Sequence, residues 1–322
     1  MTTAINLTEL VKTYSDEDKA RAFLESLRWP NGPICPKCGS VEGAYKLTPK
    51  PGSKTRKGLY KCRACRQQFT VTVGTVFEDS HIPLSKWVIG IHLLCASKKG
   101  MSAHQLHRML GLSYKAAWFM AHRIRYAMAP SKTEKLTGIV EVDETYVGGK
   151  ISNRLRKMGT GRGTFNKIPV LSLVQRGGNV VSMPMPRVTA DNLRAAIRKH
   201  VSTGATIMTD EFPGYKGIGR RYRGGHHTVK HAGREYVRGN VHVNTAEGYF
   251  GILKRGINGV YHHVGQGHLW RYLHEFDYRY NLRMARGIPD GERAAQVVRQ
   301  VAGKRLMFKP SLVGVGGSRK PA

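Results

Sequence analysis

Two sets of side chains in this sequence have the types and spacing for chemistry. The first is acidic. Asp143 and Glu144 lie in "IVEVDETYV", Asp210 and Glu211 close "MTDE", and Glu247 sits in "NTAEGYF". Carboxylates are hard oxygen ligands, and Mg²⁺ bound by a few of them keeps positions open for water and phosphate oxygens. Two such ions about 3.5–4 Å apart activate an attacking oxygen and stabilise a leaving one in phosphodiester chemistry. The second set is Cys35-Pro-Lys-Cys38 and Cys62-Arg-Ala-Cys65, with 23 residues between the pairs. Two C-x-x-C knuckles at this distance suit a structural Zn²⁺ held by four thiolates. Disulfides are the alternative, and a reducing cytosol disfavours them. Cys95 stands alone on an apolar segment and reads as a small buried residue.

Acids are scarce here. The 322 residues carry 53 Lys and Arg against 21 Asp and Glu, a net charge of +32. That excess points to a polyanionic partner, with nucleic acid first, bound through phosphate neutralisation and counterion release. Bare carboxylates repel phosphate, so an acidic island in such a protein makes sense if metal ions bridge the two. The start "MTTAINLTEL" has neither a basic region nor a long apolar core, and "WVIGIHLLCA" (87–96) is too short to span a bilayer. A cytoplasmic protein without membrane association is expected.

The elements that position these residues follow from periodicity. The length implies two or more domains. Residues 1–30 read as a helical lead, with Ser15 before "DED" as a helix start. Residues 31–82 read as a zinc ribbon of short strands, including a strand-like "QQFTVTVGTVF", too small to fold without metal. Residues 83–130 read as helices, ending in a helix-turn-helix with Gly111 in the turn and a second helix from Ser113. That helix carries Tyr114, Lys115, His122, Arg123 and Arg125, either a DNA-reading face or a solvated basic one. Residues 131–138 are a polar linker.

A catalytic-type α/β domain is expected over 139–308. Its strands cover 139–147, 168–174, 179–188 and 205–210, its helix 189–201 starts at Thr189, and a last helix spans 290–306. The Gly-rich basic insert 151–167 reads as a mobile loop that touches phosphate, and 309–322 as a disordered basic tail. Alternation puts Asp143 and Glu144 on opposite faces of their strand. Each acid also has a plain structural reading. Asn244-x-x-Glu247 is a capping-box variant, Asp210 a turn residue before "FPGY", and Asp143 or Glu144 a partner for surface Lys or Arg. Histidines in "GGHHTVKH" (224–231) and "VYHHV" (260–264) lack ligand spacing for zinc and read as solvated or phosphate-contacting.

Taken in order, "WPNGPICPKCGS", "YKCRACRQQFTVTVGTVFEDSHIPLSKW", "GLSYKAAWFMAHRIRYAM", "VEVDETYVGG", "MTDEFPGY" and "HVNTAEGYFGILKRGINGVYHHV" resemble bacterial insertion-sequence transposases of the DDE class. The resemblance is to the group with an N-terminal zinc ribbon and a ribonuclease-H/retroviral-integrase-like catalytic domain. It implies Asp143, Asp210 and Glu247 as the three acids, binding catalytic Mg²⁺ or Mn²⁺. It implies Lys254, with Arg255 beside it, as a contact to DNA near the scissile phosphate. Sixty-six residues separate the first two acids and 36 the last two, which fits the family pattern. Some relatives have Asn as the third residue, but Asn244 is three positions too early to keep register with Lys254. The implied reaction is cleavage by water to a 3′-hydroxyl, then attack of that hydroxyl on target duplex DNA, by a homodimer or higher oligomer. A metal-dependent nuclease or resolvase without joining activity, and a non-catalytic zinc-ribbon regulator, are the competing readings.

Overall fold

The structure, a computed structural model, describes residues 6–41, 43–48, 52, 55–131, 134–148, 167–230, 233 and 235–307. Residues 151–166 of the basic insert and the tail at 309–322 lie outside the described residues.

The lead is two helices, α1 (Leu7–Tyr14) and α2 (Glu17–Arg28). Asn6 and Glu9 form a reciprocal capping box on α1. The acidic start of α2 is capped by Asp16 rather than Ser15, its carboxylate accepting the Lys19 N–H at 2.8 Å. A small antiparallel sheet follows: β1 (Ala44–Lys46), β2 (Tyr60–Cys62) and β3 (Gln68–Phe69). The strand expected through "TVTVGTVF" ends at Phe69. Beyond it the Thr75 hydroxyl donates to the Thr72 carbonyl (2.5 Å) and accepts the Phe77 N–H (3.1 Å). These local bonds compete with a strand ladder and curl the chain. Its alternating apolar residues are buried all the same, with Phe77 packed edge-on against Trp87 at 5.1 Å.

Three helices come next: α3 (Leu84–Ala96), α4 (Ala103–Leu110) and α5 (Tyr114–Met128). Ser102 caps α4, and Ser113 caps α5 as expected. Gly111 closes α4 at φ 58°, ψ 44°, the left-handed conformation that a residue without Cβ adopts most cheaply.

The second sheet has five strands: β4 (Ile139–Val147), β5 (Ile168–Gln175), β6 (Val180–Pro184), β7 (Thr206–Thr209) and β8 (His226–Thr228). Their spatial order is β6-β5-β4-β7-β8. β5 and β6 pair antiparallel, whereas β7 runs parallel to both β4 and β8. This is the mixed sheet expected, with β6 and β7 shorter than read and an extra strand at β8. Helix α6 (Ala190–His200), capped by Thr189, packs on one face against Val140, Val142, Leu171 and Leu173. On the other face α7 (Asn244–Gly256) and α8 (Gln266–Asn281) bury Val147, Val170, Val174 and Val180.

Two features depart from the sequence reading. Helix α8 has no counterpart in it, because Glu275, Asp277 and Arg279 break the apolar stripe yet are all buried. The last helix, α9, covers only Asp290–Arg299 and does not pack on the five-stranded sheet. Val297, Val298 and Val301 instead join the core of Leu24, Trp87, Leu94 and Ile124. One of the three cores thus draws on residues from both sides of residue 139.

Among the described residues the four cysteine sulfurs all lie within 4.8 Å of one another. Cys35–Cys65 and Cys38–Cys62 are 3.6 and 3.7 Å apart, and all five cysteines are free. A tetrahedron of sulfurs about 2.3 Å from a central Zn²⁺ has edges of about 3.8 Å, so the cluster fits that ion. Trp29, Tyr60 and Phe69 pack on one another with ring centroids 5.3–5.8 Å apart, in the same core as Cys35 and Cys62. One zinc per chain is expected by metal analysis of the purified protein. Cys62→Ser is expected to lose the metal and unfold the β1–β3 segment, seen as loss of hydrogen-exchange protection there.

Candidate active site

The register of the sheet brings two of the acids level. Ile139 pairs with Thr206 in the parallel β4–β7 ladder, an offset of 206 − 139 = 67. The same offset carried along sets Asp143 beside Asp210, the residue just past the end of β7. Glu247 approaches from the first turn of α7. Asp143 feels the negative charge of Asp210 and of Glu247, which places all three acids within electrostatic reach. Burial, then Glu144, Asp210 and Glu247, push the Asp143 carboxyl up to about 7.

The plain readings of these acids fare unequally. Asp143 accepts the Glu144 N–H at 2.8 Å, and Asp210 does hold its turn, accepting the Phe212 N–H at 3.1 Å. Glu247 is exposed, and no side chain of α7 caps its start. In a chain of net charge +32, none of Asp143, Glu144, Asp210 or Glu247 forms an ion pair among the described residues. This island of uncompensated negative charge, made of hard oxygen donors, suits Mg²⁺ or Mn²⁺. Binding a cation relieves the repulsion that raises Asp143. The acids are more widely spread than the thiols, which alone among the described residues cluster within 4.8 Å.

Glu144 faces the other side, as alternation requires, and accepts a hydrogen bond from the buried Tyr215 hydroxyl at 2.5 Å. Tyr215 follows Asp210 by five residues, so this bond ties the end of β7 back to β4.

Three further residues position the site and had been given no role from the sequence. Glu141 is fully buried, two residues before Asp143 and on the same face. Its carboxylate accepts the Thr245 N–H (2.8 Å), the Ala246 N–H (3.0 Å) and the Thr245 hydroxyl (2.9 Å) at the start of α7. It does the work of a cap from another strand, satisfying orphan amides at the positive end of the helix. Arg176 pairs with Glu141 at 2.5 Å and donates to the carbonyls of Asn240 (2.8 Å) and His242 (3.0 Å). Asp277 accepts from Ser182 on β6 and from Tyr249 on α7, and burial lifts it to about 6. Both ends of this network hold the helix that carries Glu247. The period-2 pattern could have exposed Glu141, since it shares its face with Asp143, but nothing local identifies its partner 104 residues away.

Arg176→Met is expected to strand the buried Glu141 charge and cost about 3 kcal/mol. Chemical denaturation checks the stability. Glu141→Gln, which keeps an acceptor, is expected to lose less.

The proposed DNA-contacting residues separate into two groups. Tyr114, Lys115, Lys254 and Arg255 are exposed. His122, Arg123 and Arg125 are not, and the reading of them as a DNA face is corrected. His122 packs against Trp118 and His268, and burial, with Arg125 and Arg271, pushes it down to about 3. Arg123 donates to the carbonyls of Val76 and Glu78, both at 2.9 Å. Arg125 is buried against Glu275 at 2.6 Å. Three cations on one helix turn looked like a basic face, but the turn packs against the ribbon on one side and α8 on the other. Of the histidines, His226 meets the Thr209 hydroxyl at 2.9 Å, His227, His262 and His263 are exposed, and His231 lies outside the described residues.

Residues 135–281 match the ISXO2-like transposase domain, and residues 15–68 match the transposase zinc-ribbon domain. A protein described as uncharacterized, in transposable element ISH50 of Halobacterium salinarum, is 29% identical over 284 residues. That alignment covers 84% of this chain and 92% of the relative. No helix among the described residues is long and apolar enough to cross a membrane.

Proposed function

We propose that the chain is an insertion-sequence transposase that binds the ends of its element and transfers them into target DNA, a reading supported by its matches to an ISXO2-like transposase domain and a transposase zinc-ribbon domain. The observation that carries this reading is the unpaired set Asp143, Asp210 and Glu247 on two adjacent parallel strands and a helix, in a strongly basic protein. These three would hold Mg²⁺ or Mn²⁺, which when bound supplies Lewis acidity and charge neutralisation at phosphodiester oxygens.

The chain's own residues do the rest. Glu141 and Arg176 set the start of α7 against β4, and so the approach of Glu247 to Asp143. Lys254, seven residues after Glu247, lies two turns and about 10 Å further along the same helix. Its exposed ammonium, with Arg255 beside it, suits the phosphates that flank the scissile bond. Tyr114 and Lys115, at the exposed start of α5, suit contact with the element end. Tyr215 and Tyr249 are buried, with their hydroxyls donated to Glu144 and Asp277. They are positioning groups, and no covalent tyrosyl–DNA step is assigned. Transfer of two ends together requires at least two copies of the chain.

The test is an incubation with Mg²⁺ or Mn²⁺, a labelled duplex bearing the ends that flank the gene, and a target plasmid. Joined products are the expected result. Cleavage without joining identifies a nuclease instead, and binding with neither product a regulator.

A further inference from the structure

A second cationic site lies on the sheet face opposite α7. Helix α6 and two 3-10 turns, Pro213–Tyr215 and Ile218–Arg221, enclose a cleft of about 680 Å³. Arg194, Arg198, Lys216, Arg220 and Arg221 line it, with no carboxylate among the lining residues. Among the described residues only Arg194 of these five forms an ion pair, with Asp191 at 3.8 Å. The other four form no ion pair among the described residues. Five like charges around one cleft repel each other, and an anion seated there removes the cost.

Tyr222 also lines the cleft. It is only 6% exposed, and its hydroxyl has no hydrogen-bond partner among the described residues. A buried hydroxyl left unpaired costs about 1–3 kcal/mol. Arg198 and Arg221 both lie within electrostatic reach of it. Several guanidinium groups around one cleft match a phosphate with its oxygens spread between them. The walls are braced, because Arg194 also donates to the Lys216 carbonyl at 2.9 Å.

The cleft is tied to the acids. Lys216 follows Tyr215, whose hydroxyl holds Glu144, and Glu144 adjoins Asp143. The acidic site thus has Lys254 and Arg255 on its α7 side and this cleft on its α6 side.

We propose that the α6 cleft binds the sugar-phosphate backbone of a second DNA duplex, the target, while the α7 side engages the element end. This rests on the function proposed above. The experiment uses the full chain with Arg198→Ala/Arg220→Ala/Arg221→Ala, all exposed positions, and separately Tyr222→Phe. Binding of a labelled duplex of arbitrary sequence is followed as salt is raised. Removing one cation that neutralises a phosphate lowers the log–log salt slope by about 0.9, so the triple variant should fall short by about 2.7. Its affinity deficit then shrinks about 40-fold between 50 and 200 mM salt. Arg→Lys at the same positions should keep the slope. In the joining assay the triple variant should retain end cleavage and lose joining, and Tyr222→Phe should weaken joining alone.

An unchanged salt slope overturns the cleft. So does binding of inorganic pyrophosphate that the triple variant loses while its duplex affinity equals that of wild type, which marks a small-anion site. Should wild type neither cleave nor join, the proposed function falls, while the salt slope still decides the cleft.

Discussion

Asp143→Asn is expected to lower both end cleavage and joining by about 1,000-fold or more while leaving duplex affinity within about twofold. Loss of a ligand removes several kcal/mol of stabilisation at the reacting oxygens, and each 1.36 kcal/mol is tenfold in rate. The fold should not suffer. Asp143 forms no ion pair to break, and its neighbours Glu144, Asp210 and Glu247 repel it. Asparagine keeps the oxygen that accepts the Glu144 N–H. Without divalent metal the variant should melt no lower than wild type. Mg²⁺ or Mn²⁺ should raise the melting temperature of wild type and not of the variant. A variant that loses duplex binding and stability together would make the carboxylate structural and remove the case for a catalytic acid on β4.

Glu275→Gln is expected to be the most damaging single change for stability. Glu275 is fully buried, paired with Arg125 on α5 at 2.6 Å and with Arg279 one turn along its own helix. It also accepts from Tyr261 at 2.8 Å, and the Arg125 guanidinium lies over the rings of Tyr272 and Tyr261 at 4.1 and 5.1 Å. Removing the one negative charge leaves two buried cations, which costs about 3–5 kcal/mol. That corresponds to a fall in melting temperature of about 10 °C by calorimetry. The sign with pH follows from the carboxyl itself. Burial pushes it up, but Arg279 and Arg125 overcome that and hold it at about 2, below its ordinary 4.5. Its contribution is therefore complete above pH 4.5 and is lost as pH falls towards 2. Wild type should lose stability steeply over that window, and Glu275→Gln should show a shallower loss. Equal slopes would mean that other carboxylates carry the acid sensitivity.

How far the sequence revealed this molecule depends on how local each signal was. The paired cysteines, the caps at Ser113 and Thr189 and the glycine at 111 are local chemistry, and the structure has them where expected. Period-2 alternation found β4, β5 and β6 and put Asp143 and Glu144 on opposite faces. It failed at Val71–Phe77, where buried alternating residues sit in turns held by threonine hydroxyls. Sequence order could list the acids, but only the β4–β7 offset makes Asp143 and Asp210 neighbours. The longest-range features were invisible. Glu141 reaches Thr245, and Arg125 reaches Glu275 across 150 residues. A buried charge whose partner lies that far off looks, in sequence, like a solvated one. That is why Arg123 and Arg125 read as a DNA face.

Helix α9 returns the chain to its beginning. Val297, Val298 and Val301 complete the core built by Leu24, Trp87 and Ile124, and the Arg293 guanidinium donates to the Cys95 carbonyl at 2.6 Å. The head that precedes residue 139 shares its core with α9 and with Tyr278 of α8, whereas the sheet that follows has two cores built from residues 136 onward. A relative's ribbon and helices grafted onto this catalytic sheet would meet a foreign α9. A head traded between such proteins is expected to pack only when the matching α9 travels with it.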